Sequence, residues 1–97
     1  MKIMSLNCQG LAGPHKRSTL WMVVDLEHLD VILLQETLGV GDVVKCRLES
    51  WFPSWNFETL DVHGRSSGLA IGWNASSVRV LNIWGLDFVL GMTSKVL

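Results

Sequence analysis

The chain has 97 residues, a length that fits one small domain or a portion of a larger one. Apolar residues make up 48 % of it and charged residues 18 %. This excludes a disordered tail, because such tails lack the apolar surface that offsets the entropy of ordering. Eight basic and nine acidic residues give a formal net charge of -1. No global positive field therefore attracts nucleic acid, and any such contact has to be local.

The two cysteines, Cys8 and Cys46, form neither a disulfide framework nor a zinc-ligand pattern. The first ten residues carry one lysine and an apolar run too short for the core of a signal peptide. No segment is apolar over the length that a bilayer requires. We expect an intracellular, non-secreted chain with reduced thiols, no membrane contact and no obligate protein partner. The sequence does not distinguish nucleus from cytoplasm.

The first third of the chain predicts a strand, a helix and a second strand. Residues 2–7 are short and β-capable, and predict a buried strand that ends before Gly10. Residues 15–29 predict a helix, and the run Val-Ile-Leu-Leu at 31–34 predicts a strand covered on both faces. A right-handed crossover makes the two strands of such a βαβ unit parallel.

The predicted helix is amphipathic, although apolar residues occur on more than one side of it. Trp21 and Val24 are predicted to lie on its outer side. Its core-facing stripe is predicted to consist of four apolar residues at helical spacing: Met22, Val23, Leu26 and Leu29.

The rest of the chain predicts a short helix at 43–51 and an antiparallel meander with strands at 55–61, 68–73 and 78–84. We therefore expect an α/β (α+β) fold with one mixed sheet. A further extended run at 91–97 ends with the sequence, which leaves an apolar edge that complete domains normally avoid. On this basis residues 1–97 are expected to form the N-terminal portion of a domain.

Two polar residues stand where the predicted parallel strands end. Asn7 closes the first strand and Glu36 follows the second. Ligands of open α/β sheets bind beyond the carboxyl ends of strands, and carboxylate and amide oxygens are hard ligands suited to Mg²⁺ or Mn²⁺. A third stretch, Gly-Arg-Ser-Ser-Gly-Leu-Ala-Ile-Gly-Trp at 64–73, is a polar loop that runs into an apolar strand.

Each of these features has a structural alternative when it is taken alone. The Asn7 side chain can cap a turn, Glu36 can be a solvated strand end, and Arg65 can be a solvated loop cation. The histidines lack the spacing of metal ligands and are predicted to lie on the surface. The tryptophans are predicted to serve the core or an interface rather than to stack on bases.

Taken together, the three stretches resemble the start of the endonuclease/exonuclease/phosphatase superfamily, which includes abasic-site endonucleases and DNase I. The sequence looks most like the endonuclease domains of plant LINE-type retrotransposons. Those open with Leu-Asn-Cys-(Gln/Arg)-Gly-Leu-Gly, similar to residues 6–12, and continue to Leu-Gln-Glu-Thr, as at 34–37. The third motif matches residues 64–73, with Ser67 at a usual glycine.

The resemblance implies the N-terminal part of a four-layer α/β sandwich and a Mg²⁺- or Mn²⁺-dependent phosphodiesterase that acts on nucleic acid, specifically DNA. The resemblance also implies that Glu36 is a direct Mg²⁺ ligand, that Asn7 orients the metal or the scissile phosphate, and that both are catalytic. Arg65 lies near the substrate side, where it is a weaker substrate-binding candidate. The sequence lacks the family's later Gly-Asp-Phe-Asn and Ser-Asp-His motifs, since Asp87-Phe88 has neither the glycine nor the asparagine. We expect little or no activity from the chain by itself.

Two other functions fit the sequence. One is a small interaction module that binds a partner through an exposed sheet edge and a Trp-rich face. The other is part of a phosphoesterase for a different phosphodiester, such as RNA or an inositol-phosphate or sphingolipid headgroup, because one fold hosts several activities.

Overall fold

The computed structural model describes residues 1–61, 68–86 and 89–97, with the backbone alone at Leu86 and Val89. The predicted α/β class, the βαβ start and the short second helix are confirmed. In chain order the elements are β1 (Ile3–Asn7), α1 (Lys16–Glu27), β2 (Val31–Gln35), α2 (Gly41–Trp51), β3 (Trp55–Asp61), β4 (Gly68–Asn74), β5 (Val78–Leu86) and β6 (Val89–Val96).

The central sheet has four strands in the order β1-β2-β4-β3. β1 and β2 are parallel, in register from Ile3 opposite Val31 to Asn7 opposite Gln35. β4 is antiparallel to both β2 and β3. β2 and β4 are therefore the interior strands of this sheet, and β1 lies at its edge.

The two parallel strands differ in burial. In β2, Val31, Ile32 and Leu34 are each at most 2 % exposed, which confirms the prediction of a strand covered on both faces. In β1, Met4 and Leu6 are only half-buried against the core, and the alternate residues are exposed. The predicted burial of β1 is therefore wrong, because an edge strand with helices on one side has one covered face.

The main core lies between the helices and one face of the sheet. Leu48 of α2 is fully buried, and it belongs to the same cluster as Ile32, Leu34 and Phe57. The Phe57 ring occupies the position that a Cβ of Gly72 would take on the neighbouring strand. Glycine at this point of β4 is therefore required by the close approach of an aromatic ring.

Helix α1 turns a different face to the core than the sequence predicts. Leu20 is its buried residue, and Val23 and Val24 pack partly against the core. Met22 and Leu26, which belong to the predicted stripe, are 56 % and 69 % exposed, so that part of the prediction is wrong. Because apolar residues surround much of this helix, the pattern alone does not determine which side is buried.

The contact that orients α1 is made by Trp21, which the sequence places on the solvent side. Its indole Nε1–H donates to the Trp51 carbonyl at 2.6 Å. Its ring stacks on Phe52 with centroids 5.7 Å apart and an interplanar angle of 15°. These two contacts attach α1 to the end of α2 and turn the Leu20 side of the helix toward the sheet.

The C-terminal strands correct the prediction of a single sheet. β5 pairs with β6 in a separate two-stranded sheet instead of continuing the meander beside β4. The reason is that β4 is already paired with β2 and β3, so neither of its edges is available. Val78 of this hairpin is buried with Val31 and Ile71 on the sheet face opposite the helices.

The amino end of the parallel pair is held by Asp30, directly before β2. Its Oδ2 accepts the backbone N–H of Lys2 at 2.8 Å and lies 3.9 Å from the terminal ammonium of Met1. The hydrogen bonds from Lys2 and from the Ser77 hydroxyl lower the pKa of the Asp30 carboxyl. The start of β1 is thereby fixed against the start of β2.

We expect Leu48→Ala to lower the free energy of unfolding by about 3 kcal/mol, through lost apolar burial and a residual cavity. Leu26→Ala, at an exposed position of the other helix, is the matched control, with an expected change below about 0.5 kcal/mol. Urea unfolding followed by tryptophan fluorescence measures both variants. Equal effects of the two substitutions would contradict the burial described for α1 and α2.

We expect Asp30→Asn to reduce stability by about 0.5–1 kcal/mol at neutral pH, since the amide keeps the acceptor oxygen and loses the charge. Because the folded-state pKa is lowered, the stabilisation by Asp30 is complete above its unfolded pKa of about 3.9. It is lost as the pH falls through the folded-state pKa. Urea unfolding of both proteins between about pH 6 and pH 2 should show the difference vanish at the acid end. A difference that persists there would show that the charge is not responsible.

Candidate functional site

The carboxyl ends of β1 and β2 meet at one edge of the sheet, as the βαβ pattern predicts. Asn7 is opposite Gln35, and Glu36 is the next residue. The pairing continues beyond the strands, because the Cys8 N–H donates to the Gln35 carbonyl and the Gly10 N–H donates to the Glu36 carbonyl, both at 2.8 Å. The two candidate residues thus lie on neighbouring chain segments that are bonded backbone to backbone.

The backbone at this edge adopts unusual conformations. Gln9 and Glu36 have φ values of +50° and +53°, and Leu38 has +49°. Left-handed backbone in such residues costs roughly 1 kcal/mol or more each, and it concentrates at functional sites. Gly10, at +88°, has the residue type that this region favours. The sequence shows no glycine at 9, 36 or 38, so this strain could not be predicted.

The Asn7 side chain is exposed, and its Oδ1 accepts the Gln9 N–H at 3.1 Å. The turn-capping alternative is therefore what the structure shows. The bond to Gln9 also orients the amide and directs its oxygen to the backbone. The NH₂ group then faces away from that bond as a donor of two hydrogens, and the oxygen keeps a second lone pair.

Glu36 is exposed, and the residue after it fixes its backbone. Thr37 is 2 % exposed, and its N–H donates to the Gly68 carbonyl at 3.2 Å. A Cβ on Gly68 would lie 2.6 Å from the Thr37 hydroxyl oxygen. The start of β4 can therefore come this close to Thr37 only with glycine at position 68. Sequence reasoning missed this role of Thr37. The available signal was its place in the Leu-Gln-Glu-Thr stretch.

The side chains at this edge carry oxygen atoms of the kind that hard cations take as ligands. No three His, Cys, Asp or Glu side chains converge within residues 1–61, 68–86 and 89–97. Glu36 offers one carboxylate and Asn7 one amide oxygen. Mg²⁺ is commonly bound by one or two carboxylates together with waters and substrate phosphates. These residues therefore fit Mg²⁺ or Mn²⁺ as part of a larger set of ligands.

Cys8 and Lys16 stand behind the edge. The Lys16 ammonium donates to the Cys8 carbonyl at 2.6 Å. Burial raises the pKa of the Cys8 thiol, and the positive charge of Lys16 and a backbone hydrogen bond at Gln35 offset part of that rise. A small cavity of about 110 Å³ beside them is lined by Asn7 and Thr19 among other residues. Sequence reasoning gave Lys16 no role.

The third stretch is described only in part. Arg65, the predicted substrate-side cation, and Ser67 lie outside the described residues. From Gly68 the stretch forms β4, which confirms the predicted apolar strand. Of the histidines within the described ranges, His15 and His28 are exposed, as predicted.

Among solved structures, the fold is similar to that in the crystal structure of a humanized D. rerio TDP2 with 14 mutations. The TM-score is 0.63 at 24 % sequence identity, over 84 % of this chain and 33 % of that one. The chain thus spans about one third of the length of that protein. This likeness shows the fold, and the DNase I-like fold expected from the sequence is confirmed.

No family model matches the chain, and no curated protein matches it. In the part of the chain that the structure describes, each helix is too short or too polar to cross a membrane.

We expect the two cysteines to differ sharply in alkylation. Cys46 is exposed on α2, whereas Cys8 is 7 % exposed with a raised pKa. Because the thiolate is the reactive form, Cys8 should react at least tenfold more slowly with iodoacetamide at pH 8 until the protein is unfolded. Mass spectrometry of the Cys8→Ser and Cys46→Ser variants measures each thiol separately. Equal rates in the folded protein would contradict the packing behind Asn7.

Proposed function

We propose that the chain carries the strand-end portion of a Mg²⁺-dependent phosphodiesterase site that acts on nucleic acid, as in LINE-type endonuclease domains. The observation that carries the proposal is the parallel pairing of β1 and β2, which brings Asn7 and Glu36 to one edge. The three motifs in family order support it. So does the similarity of the fold to that in the crystal structure of TDP2.

In this proposal the Glu36 carboxylate holds Mg²⁺ or Mn²⁺, and the Asn7 amide donates to a phosphate oxygen of the substrate or completes the metal's ligands. A bound divalent ion supplies positive charge to the phosphoryl oxygens and to the leaving alkoxide. The capped conformation of Asn7 presents an oriented NH₂ group, which suits a phosphate oxygen better than a cation. Arg65 is retained as a substrate-side candidate.

The same proposal makes the isolated chain a poor enzyme. The 97 residues contain neither the Gly-Asp-Phe-Asn nor the Ser-Asp-His motif that supplies the later Asp, Asn and His of the family. Loss of general acid–base help alone typically costs 10²–10⁴ in rate. Binding of the ion at Glu36 is therefore a more direct test than turnover.

Nucleic acid is favoured over other phosphodiesters by the Leu-Asn-Cys-Gln-Gly and Gly-Arg-Ser stretches, which resemble the nucleic-acid branch of the family. The second candidate function is a module that adds a strand of a partner to its sheet. The specific observation in its favour is the position of β1 at the sheet edge, where Ile3 is 55 % exposed. This candidate requires cooperative unfolding of the isolated chain.

We expect Mg²⁺ to shift the backbone amide resonances of Glu36 and its neighbours in ¹⁵N-labelled protein, with millimolar affinity because one carboxylate binds weakly. Glu36→Gln should weaken that binding at least fivefold by removing the charge. Glu49→Gln, on the exposed surface of α2, is the matched control and should leave the shifts unchanged.

Plasmid nicking under the same conditions should be absent in all three proteins. Shifts spread over surface carboxylates and unaffected by Glu36→Gln would contradict the proposed ligand. Robust Mg²⁺-dependent nicking that disappears in Glu36→Gln would contradict the inactivity of the isolated chain.

A further inference from the structure

We infer that Lys16 is a positioning residue that holds the loop after β1, and through it keeps Asn7 and Glu36 in place for an ion and a phosphate. The ion and the phosphate in this inference rest on the proposed function. The contacts that Lys16 makes with the loop do not depend on that function.

Cys8, which directly follows Asn7, is hydrogen-bonded through both its carbonyl and its N–H. Its carbonyl accepts the Lys16 ammonium at 2.6 Å, and its N–H donates to the Gln35 carbonyl at 2.8 Å. Cys8 is thus held from one side by α1 and from the other by the strand that leads to Glu36. The next bond, from the Gly10 N–H to the Glu36 carbonyl, joins the same loop to Glu36 itself.

This loop needs a strong tether because its backbone is strained. Gln9, at φ +50°, lies between the residues that bond to the Gln35 and Glu36 carbonyls. A charge-assisted hydrogen bond is roughly twice as strong as a neutral one. The bond from the Lys16 ammonium is therefore well suited to hold a strained loop backbone that would relax without it. The lysine stem is close to Gly13, where a Cβ would lie 3.3 Å from Lys16 Cε.

The position of Lys16 is unfavourable for the helix that contains it. It is the first residue of α1, where the helix dipole disfavours a cation, and the first turn has no acidic residue. Within the described ranges, the ion pairs involve other residues than Lys16. Helix stability therefore does not explain why the half-buried ammonium of Lys16 lies at this position. Its hydrogen bond to the Cys8 carbonyl does.

The sign of the effect on ion binding separates positioning from charge. If Lys16 acted only as a nearby positive charge, its removal would make Mg²⁺ bind more tightly at Glu36 through reduced repulsion. If Lys16 positions the loop, its removal makes Mg²⁺ bind more weakly. The Lys16→Arg variant keeps both the charge and a donor for the carbonyl, and should behave like the parent.

The test compares the parent, Lys16→Met, Lys16→Arg and the control Lys45→Met, which loses a surface ion pair with Glu58. Hydrogen exchange should become about tenfold faster at the Cys8 and Gly10 amides in Lys16→Met. It should be unchanged at Ile32 and in the control. The Mg²⁺ dissociation constant measured at Glu36 should rise at least threefold in Lys16→Met and return to the parental value in Lys16→Arg.

Unchanged exchange at Cys8 and Gly10, or tighter Mg²⁺ binding in Lys16→Met, would overturn the inference. Uniformly faster exchange throughout the sheet, or loss of the fold, would make Lys16 a general structural residue and also overturn it. If Mg²⁺ fails to bind at Glu36 in the parent, the proposed function is wrong. The exchange measurement then still decides whether Lys16 holds the loop.

Discussion

The parallel pairing of β1 with β2 is the constraint on which the other features of this molecule depend. Because successive side chains of a strand point to opposite faces, a slip of one residue would exchange the two faces of β1. Met4 and Leu6 would then leave the core, and Asn7 would no longer be opposite Gln35. Asp30 holds the pair at its amino end, and the backbone bonds of Cys8 and Gly10 hold it at its carboxyl end.

The interior position of β4 determines how the remaining strands are arranged. β4 uses both of its edges, one for β2 and one for β3, and so has no edge left for β5. The hairpin of β5 and β6 instead covers part of the face that the helices leave open, around Val31 and Ile71. Leu33 on that face stays half-buried in a groove of about 260 Å³. The uneven cover of the two faces thus follows from strand order rather than from hydrophobicity.

The sequence predicts the features that depend on local pattern and chain direction. The apolar run of β2, the parallel crossover and the meeting of Asn7 with Glu36 belong to this class. The features that it does not predict depend on contacts distant in sequence. The buried side of α1 is decided by the stacking of Trp21 on Phe52, 31 positions later in the chain. Whether β5 can pair with β4 depends on both neighbours of β4.

The candidate site combines choices that local stability alone does not favour. Gln9 and Glu36 adopt left-handed backbone without glycine, and Lys16 begins a helix where the dipole favours an anion. Natural sequences are locally consistent in most places, and exceptions concentrate where function requires them. These three residues lie in the loop after β1, at the first position of α1 and directly after β2. Their proximity to the sheet edge that carries Asn7 and Glu36 supports the proposed binding role of these two residues.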